Sequence, residues 1–244
     1  MCALYATKGS KVRMETGMKI ILAMLLPGYF LMAQSLEQRV LEKFTGVKVS
    51  EGINLNLKKG EQESVKLAVE GTHPDNVITE VSGDYLKIYL KPGQYRNVKV
   101  KAEITYTQLS MLMASSGARV YSDEPVRAKS IKIHASSDAT VELLIEAGET
   151  EVHASSAADV TLRGKTSKLI ADISSAGSLQ ALDFRADAVQ VDVSSEGTAC
   201  VHALQELEAH LLERQTAIEQ WFRARWQETP APFYSSVDLR NAGF

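Results

Sequence analysis

Cysteine is nearly absent from this chain: the only two in 244 residues are Cys2 and Cys200. So distant a pair builds neither a disulfide framework nor a thiolate metal cluster. An excess of basic residues is missing too. Twenty-seven Lys and Arg stand against 30 Asp and Glu, for a net charge of −3, so no strongly basic face exists to neutralise phosphates, and nucleic acid is excluded as a partner. No serine sits in a Gly-x-Ser-x-Gly elbow, which removes the usual mark of an esterase-type nucleophile. Long apolar runs are scarce as well, with a single candidate, Ile20 to Ala33.

That run follows Lys11, Arg13 and Lys19 and is broken by Pro27-Gly28. It is too short for a membrane-spanning helix, which needs about 20 residues, and reads as an export signal with Ala33 as the last residue before the cut. Residues 1–33 are therefore expected to be an N-terminal extension and signal peptide, with Met18 or Met14 as the natural start. No Cys follows the run, which speaks against a lipid anchor, and no stable membrane span is expected after signal removal. The mature protein is expected in the periplasm or at the cell surface.

What the chain has in abundance is repetition. Ala114-Ser115-Ser116-Gly117, Ala135-Ser136-Ser137-Asp138, Ala154-Ser155-Ser156-Ala157, Ile173-Ser174-Ser175-Ala176 and Val193-Ser194-Ser195-Glu196 recur with first-Ser spacings of 21, 19, 19 and 20. A fixed period of this size marks a solenoid, in which each coil buries its apolar side only against its neighbours. Ahead of each pair, apolar and polar residues alternate: Ile131, Ile133, Ala135; Val152, Ala154; Leu169, Ala171, Ile173; Val189, Val191, Val193. Period two means strand, and the small polar segment after it fits a tight corner. The expected fold is all-β, a parallel β-helix of about 20-residue rungs stacked about 4.8 Å apart. Residues 111–203 form its regular part.

Residues 34–110 also read as strands, among them Ile53 to Leu57, Val65 to Val69, Leu86 to Leu90 and Ala102 to Tyr106. Turn residues separate them at Lys59-Gly60, Pro74-Asp75-Asn76, Ser82-Gly83-Asp84 and Pro92-Gly93. The Ser-pair corner is missing there, so this region is expected to be irregular early rungs or a cap on the first rung, an end that needs cover.

Glu51-Gly52-Ile53-Asn54-Leu55, then Ile78-Thr79-Glu80 and Leu86-Lys87-Ile88-Tyr89-Leu90, followed by serial Ser-Ser corners, resemble the "putative auto-transporter adhesin, head GIN domain" family of exported bacterial proteins over roughly residues 44–203. The resemblance implies a right-handed β-helix similar to the pectin-lyase architecture, an adhesion role inferred from architecture, and no catalytic residues to carry over.

Past residue 203 the pattern breaks. Leu207, Ala209 and Leu211 fit a further strand, yet Leu204, Leu207, Leu211, Ile218, Trp221 and Phe222 are spaced as in a helix, and no Ser pair follows. Residues 204–244 are expected to form a short helical C-terminal tail. Three readings of it stand: a cap over the last rung, an interaction helix using Trp221, Phe222 and Trp226, or unrelated sequence brought in by a frame change.

Among candidate sites the most suggestive is an outward ladder of His134, His153, Asp172 and Asp192, with His210 aligned if the further strand forms. Residues at matching rung positions lie close enough for two imidazoles and a carboxylate to share a metal ion, although every second strand residue faces solvent in any case. Metal ligation is not the expectation, no catalytic residue or cofactor is expected, and the Ser115, Ser136, Ser155, Ser174 and Ser194 ladder reads as hydroxyls bonding at a corner. Asp172, Asp183, Asp187 and Asp192 with Arg185 are the only dense acidic group for an enzyme of the polysaccharide lyase or hydrolase type. The expectation is a non-enzymatic, adhesin-like envelope protein whose ladders contact a glycan or a cell-surface protein, with oligomeric state left open. A carbohydrate-active enzyme and a structural or envelope-stress scaffold are the alternatives.

Overall fold

The structure, a computed structural model, describes residues 35–211 and 235–238. The signal-peptide expectation at residues 1–33 and the tail between 212 and 234 lie outside the described residues. The fifteen described strands belong to one β-sheet system.

The regular part is a stack of parallel coils. Strands β10 (Val126–Ala135), β11 (Thr140–Ala154), β12 (Asp159–Ile173), β13 (Ser178–Val193) and β14 (Thr198–Leu211) follow one another, each parallel to the next. Ile133, Val152, Ala171, Val191 and Ala209 stand opposite one another in successive coils. The first four are buried. Each inward row is thus a column of apolar side chains, and truncating one such residue, Ile133 for example, should destabilise by about 2–5 kcal/mol.

The corners share a conformation. Ser116 and Gly117, Ser137 and Asp138, Ser156 and Ala157, Ser175 and Ala176, and Ser195 and Glu196 all have positive φ, between 49° and 71°. The residue after each pair donates its N–H back to the first Ser carbonyl, as in Ala118 to Ser115 at 3.1 Å and Gly197 to Ser194 at 2.9 Å. Two left-handed residues closed by this bond are the signature of a type I′ turn. Corners are then stitched together through the main chain: Gly117 N–H donates to Ser137 O at 2.9 Å, Asp138 to Ser156 at 3.0 Å, Ala157 to Ser175 at 3.1 Å and Ala176 to Ser195 at 3.0 Å. Amides and carbonyls, rather than the expected hydroxyls, hold the corners.

The stack begins earlier than the Ser pairs suggest. β2 (Gly46–Val49) and β3 (Asn54–Lys59) form a coil whose corner, Ser50-Glu51-Gly52-Ile53, has positive φ at Glu51 (63°) and Gly52 (69°), and Gly52 N–H donates to Ser116 O at 2.9 Å. Corner geometry is therefore present in the N-terminal region with only one Ser, although the Ser pair itself is missing there. β8 (Met111–Ala114) and β9 (Arg119–Tyr121) make the next coil, parallel to β2 and β3.

On the other side of β2 and β3 lie β6 (Tyr85–Leu90) and β7 (Lys99–Tyr106), again parallel. They form a coil before the first in space but after it in sequence. Antiparallel strands end the stack here: β5 (Val77–Ser82) on β6, β4 (Ser64–Glu70) on β7, and β1 (Ser35–Val40) on β4. Such strands cover the ladder edge that an open solenoid would present. A 3₁₀ turn, Pro74–Asn76, leads into β5.

At the far end the expected helical tail is not supported. Residues 204–211 continue β14, with Leu207 opposite Val189 and Leu211 opposite Val193, and β15 (Ser235–Asp238) pairs antiparallel with Cys200 to Ala203. The exposed edge of β13 supplies a row of hydrogen-bond partners, and strand pairing overrides the helix-like leucine spacing.

Candidate functional site

The arm of each coil that leads into its corner presents alternate residues to solvent, and register aligns them. One row runs Lys87, Lys48, Met113, His134, His153, Asp172, Asp192 and His210. The row two residues earlier runs Tyr85, Gly46, Met111, Lys132, Glu151, Ile170, Gln190 and Glu208.

All four ladder residues named from the sequence occupy the expected row. His134 and His153 stack with ring centroids 4.6 Å apart and planes 11° from parallel. His153 Nε2 meets Glu151 Oε1 at 2.8 Å, and its Nδ1 lies 3.7 Å from Asp172 Oδ2. Asp192 follows Asp172 in register, and His210 pairs with Glu208 of its own strand at 3.2 Å. Among the described residues, no three His, Cys, Asp or Glu side chains are grouped to hold a metal ion. The imidazoles stack face to face instead of converging on a point.

Glu151 is the member that sequence reasoning missed. It takes Lys132 Nζ at 2.5 Å on one oxygen and His153 on the other. These contacts, Lys132 first, hold its carboxyl below the ordinary range. Applying the 19-residue period two positions before the His ladder would have found the Lys132–Glu151 pair. Burial, reinforced by the charge of His153, lowers the pKa of His134. Of Asp172, Asp183, Asp187 and Asp192, only Asp172 and Asp192 are register neighbours.

A concavity on this face lies at the irregular end. A groove of about 440 Å³ is bounded by Lys48, Lys87, Tyr89, Met113, His134 and the corner serines Ser50, Ser115 and Ser136. Its geometry follows from the change of corner. The coil of β6 and β7 turns through residues 91–98 instead of a tight corner, and Glu51 Oε2 accepts the Leu90 N–H at 2.5 Å to tie the two turns together. Gly46 sets the neighbouring wall. A Cβ there would come within 2.5 Å of the Tyr85 ring, so glycine lets that ring lie flat against β2. Lys48 Nζ then sits 4.3 Å over the ring centroid.

A second concavity of about 380 Å³ lies on the arm that follows the corner, lined by Tyr121, Asp123, Glu142, Leu144, Thr161 and Arg163 among others.

These features define a class: a parallel β-solenoid whose first coil is covered by antiparallel strands, with outward ladders and shallow grooves. A family profile described as "Putative auto-transporter adhesin, head GIN domain" matches residues 43–214, and the chain belongs to that family. A second profile, glutamate-cysteine ligase, matches residues 208–244. Among solved structures the chain is similar to a "putative adhesin" from Parabacteroides merdae, with a TM-score of 0.65, 19% identity, and 73% of this chain and 85% of that one covered. It is similar also to a "putative adhesin" from Bacteroides fragilis, with a TM-score of 0.59, 14% identity and coverage of 74% and 94%. A "putative lipid binding protein" from Parabacteroides distasonis aligns with a TM-score of 0.55, 15% identity and coverage of 73% and 85%. At these identities the likeness is one of fold. No match to the curated proteins was found.

Proposed function

We propose that this protein is a non-enzymatic, exported contact protein of the cell envelope, in the periplasm or at the surface, that binds a glycan or a cell-surface protein along its outward ladders. The observation that carries this reading is register. From Lys87 to His210 one outward row holds polar or charged side chains at every coil but that of Met113, on a backbone whose spacing is fixed by hydrogen bonds. Such a face meets a repeating partner at many points, so weak contacts add through effective concentration. The family to which the chain belongs, described by adhesion, agrees with it. The proposal concerns residues up to 211; a different family's profile matches residues 208–244 and overlaps the end of the first.

The test is adhesion of beads densely coated with the protein to bacterial cells and to immobilised glycans, against beads coated sparsely. Retention that rises steeply with coating density supports contact by repetition. Equal failure at both densities on every surface overturns it. A turnover of polysaccharide by the soluble protein would move the assignment to a carbohydrate-active enzyme.

A further inference from the structure

Within that contact reading, on which this step rests, we propose that the groove beside Lys48 and Lys87 is a subsite for a carboxylate-bearing sugar of an acidic glycan. Four observations converge on it.

First, Lys48 and Lys87 stand directly opposite each other on β2 and β6. Like charges at opposed positions destabilise a sheet, and an anion between them removes that repulsion. Second, Lys48 has no carboxylate within ion-pair distance among the described residues. Its ammonium rests over Tyr85, which aims it without neutralising it. Lys87 is held only loosely, 3.4 Å from the half-exposed Glu80. Third, Ser50, Ser115 and Ser136 come from three successive corners and line one side of the groove, a row of hydroxyls that both donate and accept, as the hydroxyls of a sugar do. Fourth, Met113 and Tyr89 supply apolar surface among these polar groups, which suits a ring with one apolar face. The one carboxylate that lines the groove, Glu51, is turned to the Leu90 N–H, and no arginine lines it, so the planar fork that grips phosphate bidentately is missing. Point-charge ammonium groups, hydroxyls and apolar patches fit a sugar acid better than a bare phosphate.

The experiment is calorimetric titration of the full chain with a uronic acid oligosaccharide, its methyl-esterified counterpart, inorganic phosphate, and vesicles containing anionic phospholipid. The acidic oligosaccharide should bind, and esterification should weaken it roughly tenfold or more, with the acid binding weakened further by added salt. Lys48→Gln combined with Lys87→Gln should abolish the difference between acid and ester, Lys48→Arg with Lys87→Arg should retain it, and Arg163→Gln in the other groove should leave it unchanged. Both lysines are solvent-facing, so a melting temperature equal to that of the wild type verifies folding. Equal binding of acid and ester, undiminished binding by the double Gln variant, or binding of vesicles or phosphate alone would overturn the proposal. The coated beads separate this failure from that of the contact reading. Beads of the double Gln variant that still adhere as wild type discard the groove and keep the contact function, whereas wild-type beads that adhere to nothing discard the contact function.

Discussion

The corners carry a testable energetic debt. Ala157 and Ala176 each sit at φ 60°, in the left-handed region, with a Cβ that glycine would not have. An L-residue held there costs about 1–2 kcal/mol relative to its ordinary conformation. Glycine removes that cost but loses more chain entropy on folding, a penalty of about 0.4–1 kcal/mol. The bonds at stake are main-chain, Ala157 N–H to Ser175 O and Ala176 N–H to Ser195 O, and survive the change. Replacing both alanines by glycine should therefore stabilise by about 1–2 kcal/mol in total, raising the melting temperature by roughly 3–6 °C for a domain of this size. Gly117→Ala is the reverse experiment. Gly117 has φ +71°, and a Cβ there meets nothing within 4 Å, so the substitution isolates the conformational term and should lower the melting temperature by roughly 2–4 °C. Differential scanning calorimetry decides. A fall in the Ala157→Gly/Ala176→Gly variant, or no change in Gly117→Ala, would refute the left-handed corner as a source of strain.

Inside the stack, Thr150 donates to Thr166 Oγ1 at 3.2 Å, and Thr166 lies within bonding distance of the Gly148 and Lys168 carbonyls. Both threonines are buried, so Thr166→Val, which strands the Thr150 hydroxyl, should cost about 1–3 kcal/mol in urea unfolding. Thr150→Val with Thr166→Val should recover part of that loss. At high pH, burial together with the Glu124 charge pushes Tyr106 up to about 12 from 10.0. The folded state keeps the proton that the unfolded state has released, so stability is complete below pH 10 and falls between about 10 and 12, by up to about 2 kcal/mol. Tyr106→Phe should flatten that limb in pH-dependent thermal melts. At low pH the sign is opposite: His134 and Glu151 are both held below their ordinary values of 6.5 and 4.5, so stability is complete above 6.5 and declines on acidification, first through His134 and then through Glu151. His134→Gln should remove the first decline and leave the second.

The coils from Ile131 to Val193 were legible because each solves the same problem with the same residues: alternation buries every second side chain, and the corner admits only small or polar ones. Register followed from the period, which is why the His134, His153, Asp172 and Asp192 row was placed correctly. The corner at Ser50 to Ile53 was missed for a physical reason. It shares with the others two left-handed dihedrals and not a composition, and Glu51 occupies a position that Ser holds elsewhere. Nor does any local pattern reveal that β6 and β7 stack beneath β2 and β3, since that ordering is a matter of long-range pairing. Residues 204–211 misled because Leu204, Leu207 and Leu211 satisfy a helical spacing, while Leu207, Ala209 and Leu211 satisfy a strand. An adjacent strand edge settled the choice, and no window of sequence contains it. The groove was invisible from sequence, because its walls come from β2, β6, β8 and β10, joined only by the out-of-order stacking.

A solenoid repeats its backbone but is free to vary what faces outward, and here the variation is ordered. Along one row the side chains pass from Lys87 and Lys48 through Met113 to two stacked imidazoles and then to Asp172 and Asp192. Basic and acidic residues are thus segregated along this part of the row, which ends on His210. In the regular coils the same rows pair internally, Lys132 with Glu151 and Glu151 with His153, which consumes their charge. Where the corner gives way to the longer turn at residues 91–98, two ammonium groups face one concavity: Lys87 holds Glu80 only at 3.4 Å, and Glu51, which also lines the groove, is turned to the Leu90 N–H. Regular coils space the face evenly; the break in regularity opens the groove that Lys48 and Lys87 line.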